Sequence, residues 1–245
     1  MPARWKYANV IPAPKANPLQ RIETDLRLIS LTATLSKLLA SFVGVWILNR
    51  IEDKLDTCQY GALKGRCTTH ALVDIMHHWY KAVDEGQSVR SVFIDFAKAF
   101  DHVDHNVLVA KLMDFALPDS IIRWISSLLC HRHQRVKIGD VMSDWRVMNA
   151  GMPQGSYVWP LMFITLVDSL QTSCPMHKFV DDTTLSKFVA KSTTSCMKAC
   201  CDELVHQSEE IWMNVNPHKT KEMLIGPMFI LQGRALADLR FGGRF

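Results

Sequence analysis

The sequence predicts an α+β protein in which an antiparallel sheet carries helices packed on one face. The 245 residues have an ordinary globular composition, with 48% hydrophobic and 21% charged residues. Short β-branched and aromatic runs alternate with longer amphipathic stretches, which indicates mixed strands and helices. From residue 91 onward the predicted order is strand, helices, hairpin, helix, acidic hairpin, helix and strand. That order is typical of an antiparallel sheet combined with helices.

The N-terminal part is predicted to hold two strands and a long helix. Val10–Lys15 can form one extended edge strand, because proline is excluded from central strands. Asp25–Leu31 reads as a short strand. An amphipathic helix follows over Ala33–Ile51, with Thr32 or Thr34 as its cap. Its predicted apolar face consists of Leu35, Leu38, Leu39, Phe42, Val43, Trp46 and Ile47.

The next part is predicted to lead from a loop into the first strand of the sheet. The loop Gln59–Arg66 contains two glycines and two cations. A helix over Thr68–Glu85 follows, and Gly86 fits its C-terminal stop. Ser91–Phe96 is then predicted to be a strand, with Asp95 near its end.

Two helices and a hairpin are predicted after that strand. The helices cover His105–Ala116 and Asp119–His131, and Asp119 is the expected cap of the second. The strands Gln134–Ile138 and Val141–Val147 pair through Gly139 and Asp140. The basic run from residue 131 to 137 is read as a solvated hairpin edge, with contact to nucleic acid as the alternative.

The C-terminal part is predicted to hold a second, acidic hairpin between two helices. A loop before Ser156, the expected cap, opens a helix over Tyr157–Leu170. Met176–Val189 reads as two strands joined by a tip that carries Asp181 and Asp182. A helix over Ser192–Met213 and a strand over Lys221–Ile225 complete the pattern, and residues 226–245 show none.

Composition narrows the class of protein. The net charge of +4 permits a nucleic-acid partner without requiring one. The seven cysteines are predicted to be reduced thiols, and Cys196, Cys200, Cys201 and His206 are read as helix residues rather than a zinc site. No signal peptide is recognisable, and the uncharged run Leu38–Asn49 is short for a membrane span. We therefore expect a soluble, intracellular protein with no membrane partner.

Asp181 and Asp182 on their own would most simply form a solvated acidic turn. Asp95 changes that interpretation, because strands separated by helices in the sequence can lie side by side in an α+β sheet. Carboxylates that lie so near one another cannot all ionise unless positive charge compensates for them. Divalent metal would supply it, and oxygen ligands with open positions suit Mg²⁺. Two such ions can hold the attacking and leaving oxygens of a displacement at phosphorus.

Four segments resemble the motifs of reverse transcriptases in order and spacing. Phe93–Asp101 resembles motif A, Gly151–Ser156 motif B, Phe179–Asp182 motif C and Asn216–Lys221 motif D. Upstream, Asp25–Leu31 and Gln59–Arg66 resemble fingers segments of non-LTR retrotransposon enzymes. The resemblance covers about Val10 to Ile225. It implies an RNA-directed DNA polymerase that extends a DNA primer on an RNA template with dNTPs.

The resemblance also implies an organisation and a cofactor. The fold would be the fingers and palm of a right-hand polymerase, with the thumb missing or vestigial. Residues 1–90 would form the fingers with the N-terminal part of the palm, residues 91–225 the palm, and residues 226–245 a truncated or divergent tail. Two Mg²⁺ ions would be the cofactor, with Mn²⁺ as the alternative.

The resemblance further assigns roles at the predicted metal site. Asp95 and Asp181 would bind both metals, helped by the backbone carbonyl of Phe96. Asp182 would support the site from beside it. Lys219 would protonate the departing pyrophosphate, and the alternative is a solvated lysine beside a turn.

Other residues would contact the substrates. Phe100 would lie under the incoming sugar and exclude a 2′-hydroxyl, and its alternative role is that of a core aromatic. That exclusion also disfavours an RNA-dependent RNA polymerase. The remaining assignments have plain alternatives as loop residues or surface charges. They are Gln154 and Gly155 in the nucleotide pocket, Lys15 and Arg27 on the triphosphate, and Lys64 and Arg66 on the template backbone.

Some residues depart from the family pattern. Trp159 stands where a glycine is usual in the segment after motif B. Its indole would either obstruct the nucleotide pocket or turn into the core. A decayed, inactive fragment that keeps the fold and weak nucleic-acid binding is therefore the alternative function.

Overall fold

A computed structural model describes residues 1–15, 18, 20–153, 155–190, 195–226 and 229–233. The chain forms two compact units, each made of two separate stretches of sequence. The first unit comprises Met1–Lys54 and Phe100–Leu166, and the second comprises Leu55–Ala99 and Val167–Phe245. The predicted boundaries after residues 90 and 225 stay a prediction.

The described elements follow the predicted order closely. The helices are α1 (Ile22–Asp25), α2 (Thr34–Ile51), α3 (Thr68–Asp84), α4 (His105–Asp114), α5 (Asp119–Leu129), α6 (Val158–Val167) and α7 (Met197–Glu210). The strands are β1 (Tyr7–Pro14), β2 (Leu26–Leu31), β3 (Ser88–Ile94), β4 (Arg132–Ile138), β5 (Val141–Met142), β6 (Arg146–Met148), β7 (Met176–Phe179), β8 (Asp182–Val189), β9 (Lys221–Gly226) and β10 (Phe229–Gly233).

The sheet of the first unit has the order β2-β1-β4-β5, and β6 also pairs with β4. The predicted edge strand Val10–Lys15 is paired on one side only from Ile11 to Pro14, whereas the earlier part of β1 lies between β2 and β4. The pairing of β1 with β4 covers only Tyr7 to Val10, whereas its pairing with β2 continues to Pro14. Pro12 therefore lies beyond the two-sided part of the strand, which is why this proline is tolerated.

Strand β4 is not the solvated edge that was predicted, because β1 pairs with it on one side and β5 and β6 on the other. Arg132, which opens β4, is 3% exposed, and its Nη1 donates to the carbonyl of Leu128. Burial lowers the pKa of Arg132 to about 10.

The predicted buried face of α2 is wrong. Leu35, Leu38, Leu39 and Phe42 are exposed, whereas small residues such as Ser36, Ala40 and Gly44 are buried, together with Ile47. Gly44 lies against Tyr157, and a Cβ on Gly44 would come within 3.1 Å of that ring. The first half of α2 thus packs through small residues because they allow close approach, a feature that hydrophobic periodicity does not register. The second half buries large residues, namely Ile47, Leu48 and Ile51.

Three predicted helix caps are also corrected. Ala33 precedes α2 and Pro118 precedes α5, and neither helix has a side-chain cap hydrogen bond. Ser156 Oγ is buried without a hydrogen-bond partner among the described residues. Asp104 does act as a cap, because its side chain accepts from the amides of Asn106 and Val107 at the start of α4.

The sheet of the second unit has the order β10-β9-β3-β8-β7, and every pairing in it is antiparallel. This arrangement confirms the predicted antiparallel sheet and the acidic hairpin. Strand β10 was missed in the segment where no pattern was recognised. The predicted start of α7 at residue 192 lies outside the described residues, and the observed helix begins at Met197.

Helix α3 covers one face of this sheet. Ile75, Trp79 and Ala82 pack with Val89 of β3, and Phe93 joins them from the same face. Cys201 of α7 interacts electrostatically with Glu222 and Arg90. Successive residues of a strand point to opposite faces, so these two side chains lie on the face of the sheet that α3 does not cover. The helices therefore flank both faces, where the sequence predicted one.

One expectation from composition is corrected in the described residues. Cys174 and Cys200 form a disulfide with a Cα–Cα distance of 6.1 Å, although all cysteines were predicted to be reduced. Spacing alone could not pair residues that lie 26 positions apart. The segment Thr34–Lys54 is long and apolar enough to cross a membrane by length and composition alone, and the expectation of no membrane partner stays a prediction. A core helix passes the same test.

Candidate active site

The three acidic residues predicted to form a site come together at one end of the second unit's sheet. Strand β3 ends at Ile94, so Asp95 is the next residue along. Strands β7 and β8 are joined by a two-residue turn, because Phe179 pairs with Asp182. Ile94 pairs with Thr183 across β3 and β8. Asp95 and Asp182 therefore lie at adjoining ends of neighbouring strands, with Asp181 in the turn.

The acidic turn has an unusual backbone that neighbouring residues hold in place. Val180 has φ 59°, an uncommon conformation for a β-branched residue. Oε1 of the buried Gln59 accepts hydrogen bonds from the amides of Val180, at 3.0 Å, and Gly61, at 2.8 Å. A Cβ on Gly61 would lie 2.6 Å from the Val180 nitrogen, so only glycine fits there. Such a held outlier is typical of functional sites.

A second loop positions Asp95 and Lys219. The amide of Asn216 donates to the carbonyl of Asp95 at 2.7 Å, and Phe96 forms an isolated antiparallel bridge with Val215. The turn that begins at Asn216 brings Lys219 Nζ to 3.7 Å from Asp95 Oδ2. The side chain of Lys219 is 66% exposed, so its ammonium group remains accessible to a substrate.

The three carboxylates lie in an environment that disfavours their charged forms. Burial raises the pKa of Asp181, and the charges of Asp182 and Asp95 raise it further, while Lys219 opposes them. Partial burial also raises the pKa of Asp182, with Asp95 as the second cause. Oδ2 of Asp95 is buried and has no hydrogen-bond partner among the described residues. The site therefore concentrates negative charge with little compensation from the protein.

These observations fit a divalent cation. The donors are carboxylate oxygens, which hard cations such as Mg²⁺ prefer. The orphaned oxygen of Asp95 and the raised pKa values of Asp181 and Asp182 all indicate missing positive charge. Asp95, Asp181 and Asp182 are the residues that would hold such an ion.

The predicted substrate-binding residues of the first unit lie on separate elements. Phe100 packs on Phe163 with a 4.7 Å centroid separation, as a core aromatic would. Gly155 has φ 122°. Lys15 is exposed just after β1, and its amide donates to the carbonyl of Asp25. Arg27 is exposed on β2. Gln154 lies outside the described residues, and all these roles stay predictions.

Lys64 and Arg66 lie in the second unit, in the loop before α3, and both are exposed. Arg66 Nη1 donates to the carbonyls of Thr57 and Gln59, at 2.5 and 2.6 Å. Its guanidinium also lies 5.7 Å from the centroid of the Tyr60 ring. Arg66 thus stabilises the loop that holds the acidic turn, and template contact by either residue stays a prediction.

Trp159 turns into the core of the first unit. It is 3% exposed, and the guanidinium of Arg132 lies 5.9 Å from its ring centroid. The alternative in which the indole turns inward is therefore the one observed.

Sequence reasoning missed two charged clusters that support β7. Lys178 is 1% exposed, and its Nζ lies 3.0 Å from both Asp56 Oδ2 and the carbonyl of Asp168. Asp74 Oδ2 lies 2.8 Å from Nε2 of the buried His177. The two carboxylates that pair with β7, those of Asp56 and Asp74, are more than one hundred residues away in the sequence, so no local pattern links them to the strand. The only local signal is Asp74 with His78, one helical turn apart on α3.

Comparisons with known proteins identify the family of the chain. A family model described as "Reverse transcriptase (RNA-dependent DNA polymerase)" matches residues 13–237. The chain is 28% identical over 251 residues to "Probable RNA-directed DNA polymerase from transposon BS" of Drosophila melanogaster, covering 94% of this chain and 26% of that protein. It is 24% identical over 204 residues to "RNA-directed DNA polymerase from mobile element jockey" of the same organism, covering 81% and 22%. The chain thus spans about a quarter of these relatives.

Solved structures show a similar fold. Apo telomerase from Candida tropicalis superposes with a TM-score of 0.65 at 11% identity, covering 95% of this chain and 49% of that one. Telomerase from Candida albicans in complex with a TWJ fragment of telomeric RNA gives 0.64 at 12% identity, covering 95% and 47%. The mixed α+β architecture is therefore consistent with a fingers and palm fold.

Proposed function

The chain belongs to the reverse transcriptase family, as a domain of the non-LTR retrotransposon type, and we propose that it adds dNTPs to a DNA primer on an RNA template. The observation that supports this activity most directly is the meeting of Asp95, Asp181 and Asp182 at adjoining strand ends. The raised pKa values of Asp181 and Asp182 add to it, because they indicate a site prepared for cations.

The family uses divalent metal ions, and for this chain we propose two Mg²⁺ ions, with Mn²⁺ as an alternative. When bound, the ions would supply Lewis-acid stabilisation of charge on the transferring phosphoryl group. Asp95 and Asp181 would hold them, with the carbonyl of Phe96, and Asp182 would keep the local potential negative. The turn held by Gln59 and Gly61 would keep the Asp181 side chain oriented.

Lys219 is the residue we propose as the proton donor to pyrophosphate. Its ammonium lies 3.7 Å from Asp95 Oδ2 while most of the side chain is exposed. A proton on Nζ would pass to the leaving oxygen as the bond to the α-phosphorus breaks. The predicted roles of Lys15, Arg27, Phe100, Gln154 and Gly155 toward the dNTP, and of Lys64 and Arg66 toward the template, belong to the same proposal. We also propose a soluble, intracellular setting.

Primer extension on an RNA template with Mg²⁺ tests the proposal. We expect Asp95→Asn and Asp181→Asn to reduce extension by at least about 100-fold, because removing transition-state charge stabilisation costs several kcal/mol. Asp140→Asn is the matched control, since Asp140 is an exposed residue of the β4–β5 turn and should leave extension unchanged. Equal extension by all four proteins would contradict the assignment of the carboxylates. No extension by the wild type, with retained binding to an RNA–DNA hybrid, would favour the inactive fragment.

A further inference from the structure

A second group of metal-binding residues lies in the second unit, away from the acidic turn. Asp74, His78 and His177 form what we name the histidine–aspartate cluster. Each offers one ligand atom, and the three atoms lie within 4.8 Å of one another. Asp74 and His78 are one turn apart on α3, while His177 belongs to β7. The cluster therefore links a helix to the strand that leads into the acidic turn.

The contacts within the cluster converge on the Asp74 carboxylate. Nε2 of His177 lies 2.8 Å from Oδ2, and Tyr60 Oη donates to the same oxygen at 2.7 Å. Nδ1 of His78 lies 3.6 Å from Oδ1. Two imidazoles and one carboxylate at these separations form a mixed nitrogen and oxygen set, which suits Zn²⁺ better than Mg²⁺.

The protonation states of these residues also favour metal binding. Burial lowers the pKa of His177, although Asp74 opposes this effect, so its imidazole is neutral at pH 7. Partial burial acts to raise the pKa of Asp74, but hydrogen bonds from Tyr60 and His177 outweigh it and lower the pKa overall. A neutral imidazole and an ionised carboxylate are the forms in which His177 and Asp74 can bind a metal.

The surroundings of both rings allow a nitrogen to face an ion. Nδ1 of His78 lies 2.8 Å from the carbonyl of Asp74 and 3.6 Å from Asp74 Oδ1, so the ring would release this carbonyl, with its proton on Nε2, to present Nδ1 to an ion. Nδ1 of His177 is buried without a partner among the described residues. His177 also lines a cavity of about 360 Å³.

We propose that the histidine–aspartate cluster binds one Zn²⁺ ion that stabilises the palm and is separate from the catalytic cations. The ion would replace the hydrogen bond between His177 and Asp74, and the His177 proton would move from Nε2 to Nδ1. Water or the Tyr60 oxygen would complete a tetrahedral site. Because β7 ends at Phe179 and leads directly into the acidic turn, the ion would hold the strand that precedes Asp181.

The test is zinc binding by the full chain after treatment with a chelator. Bound metal is measured by elemental analysis in excess Mg²⁺, and the site geometry by the visible absorption of Co²⁺ in its place. We expect one equivalent per wild-type chain, a tetrahedral Co²⁺ spectrum and a higher Tm with zinc. His78→Gln, a change at a partly exposed position, should weaken zinc binding by at least about 100-fold, because a direct ligand is lost. His177→Gln should do the same if it folds.

His77→Gln is the matched control, because His77 neighbours His78 on α3, is exposed and lies outside the cluster. It should bind zinc as the wild type does, and so should Asp181→Asn. The proposal is overturned if the wild type binds no zinc, or if His77→Gln weakens binding as much as His78→Gln. It is also overturned if Asp181→Asn abolishes binding, since the ion would then occupy the catalytic carboxylates.

Discussion

Strand β7 and the acidic turn that follows it differ in how their charged side chains are compensated. Within β7, Lys178 is buried between Asp56 and the carbonyl of Asp168, and His177 is buried against Asp74. Just beyond the end of β7, Asp181 and Asp182 repel each other and Asp95. Among the described residues, Lys219 is the cation near Asp95, at 3.7 Å. One short segment therefore holds both a compensated and an uncompensated set of charges.

The difference separates residues that hold the fold from residues that perform chemistry. A buried charge destabilises a protein unless partners compensate for it, and Lys178 and His177 have such partners. The carboxylates at the acidic turn have too few, so they reduce stability in this form of the protein. Such a loss of stability is expected at a functional site where a bound ligand supplies the missing positive charge.

The largest expected effect on stability comes from breaking the compensated set of charges. Asp56→Ala should lower the free energy of unfolding by roughly 3–5 kcal/mol, because it leaves the Lys178 ammonium buried without its carboxylate. Asp53→Ala, at an exposed neighbouring position, should change it by less than about 0.5 kcal/mol. Urea unfolding measures both. Similar values for the two variants would show that Lys178 is not held by this ion pair.

A smaller effect is expected from moving the acidic turn itself. Gly61→Ala should destabilise the fold by about 1–3 kcal/mol and reduce primer extension, because the new Cβ would lie 2.5 Å from Val180 Cγ2. Gly65→Ala is the control for backbone strain alone, since Gly65 has φ 77° with nothing within 4 Å of its Cβ position. It should lower stability but leave extension intact. Full primer extension by Gly61→Ala would show that the contact between Gly61 and Val180 is not required for catalysis.

The smallest expected effect is a dependence of stability on pH that arises from Asp181 and Asp182 in the acidic turn. The pKa of Asp181 and Asp182 is raised above the ordinary 3.8, so the folded state keeps their protons to higher pH than the unfolded state does. Their contribution to stability is therefore present below the unfolded pKa and falls as pH rises through the folded pKa. Compared with the wild type, Asp182→Asn should lose less stability over this range, as measured by Tm in metal-free buffer. An identical pH profile would contradict the repulsion.

Much of the fold could be predicted because its signals are local. Helix α3 and the β7–β8 hairpin follow from hydrophobic periodicity and from turn residues, and Asp181 is where the tip was expected. The exposed apolar side of α2 could not be predicted, since its packing depends on a close approach of Tyr157 to Gly44.

The site was predictable in part for a similar reason. Asp95 and Asp181 lie in recognisable motifs, whereas the support of the turn is not local. Gln59 reaches Val180 across 121 residues, and His177 reaches Asp74 across 103. Pairings over such distances depend on how the strands and helices assemble, which neither periodicity nor residue type encodes.

Paired measurement of activity and stability in Asp181→Asn tests the central claim most directly. If the acidic turn serves catalysis, the variant should lose primer extension on an RNA template while its metal-free Tm equals or exceeds that of the wild type, because a repulsive charge has been removed. Retained extension, or loss of extension accompanied by a lower Tm, would contradict the account.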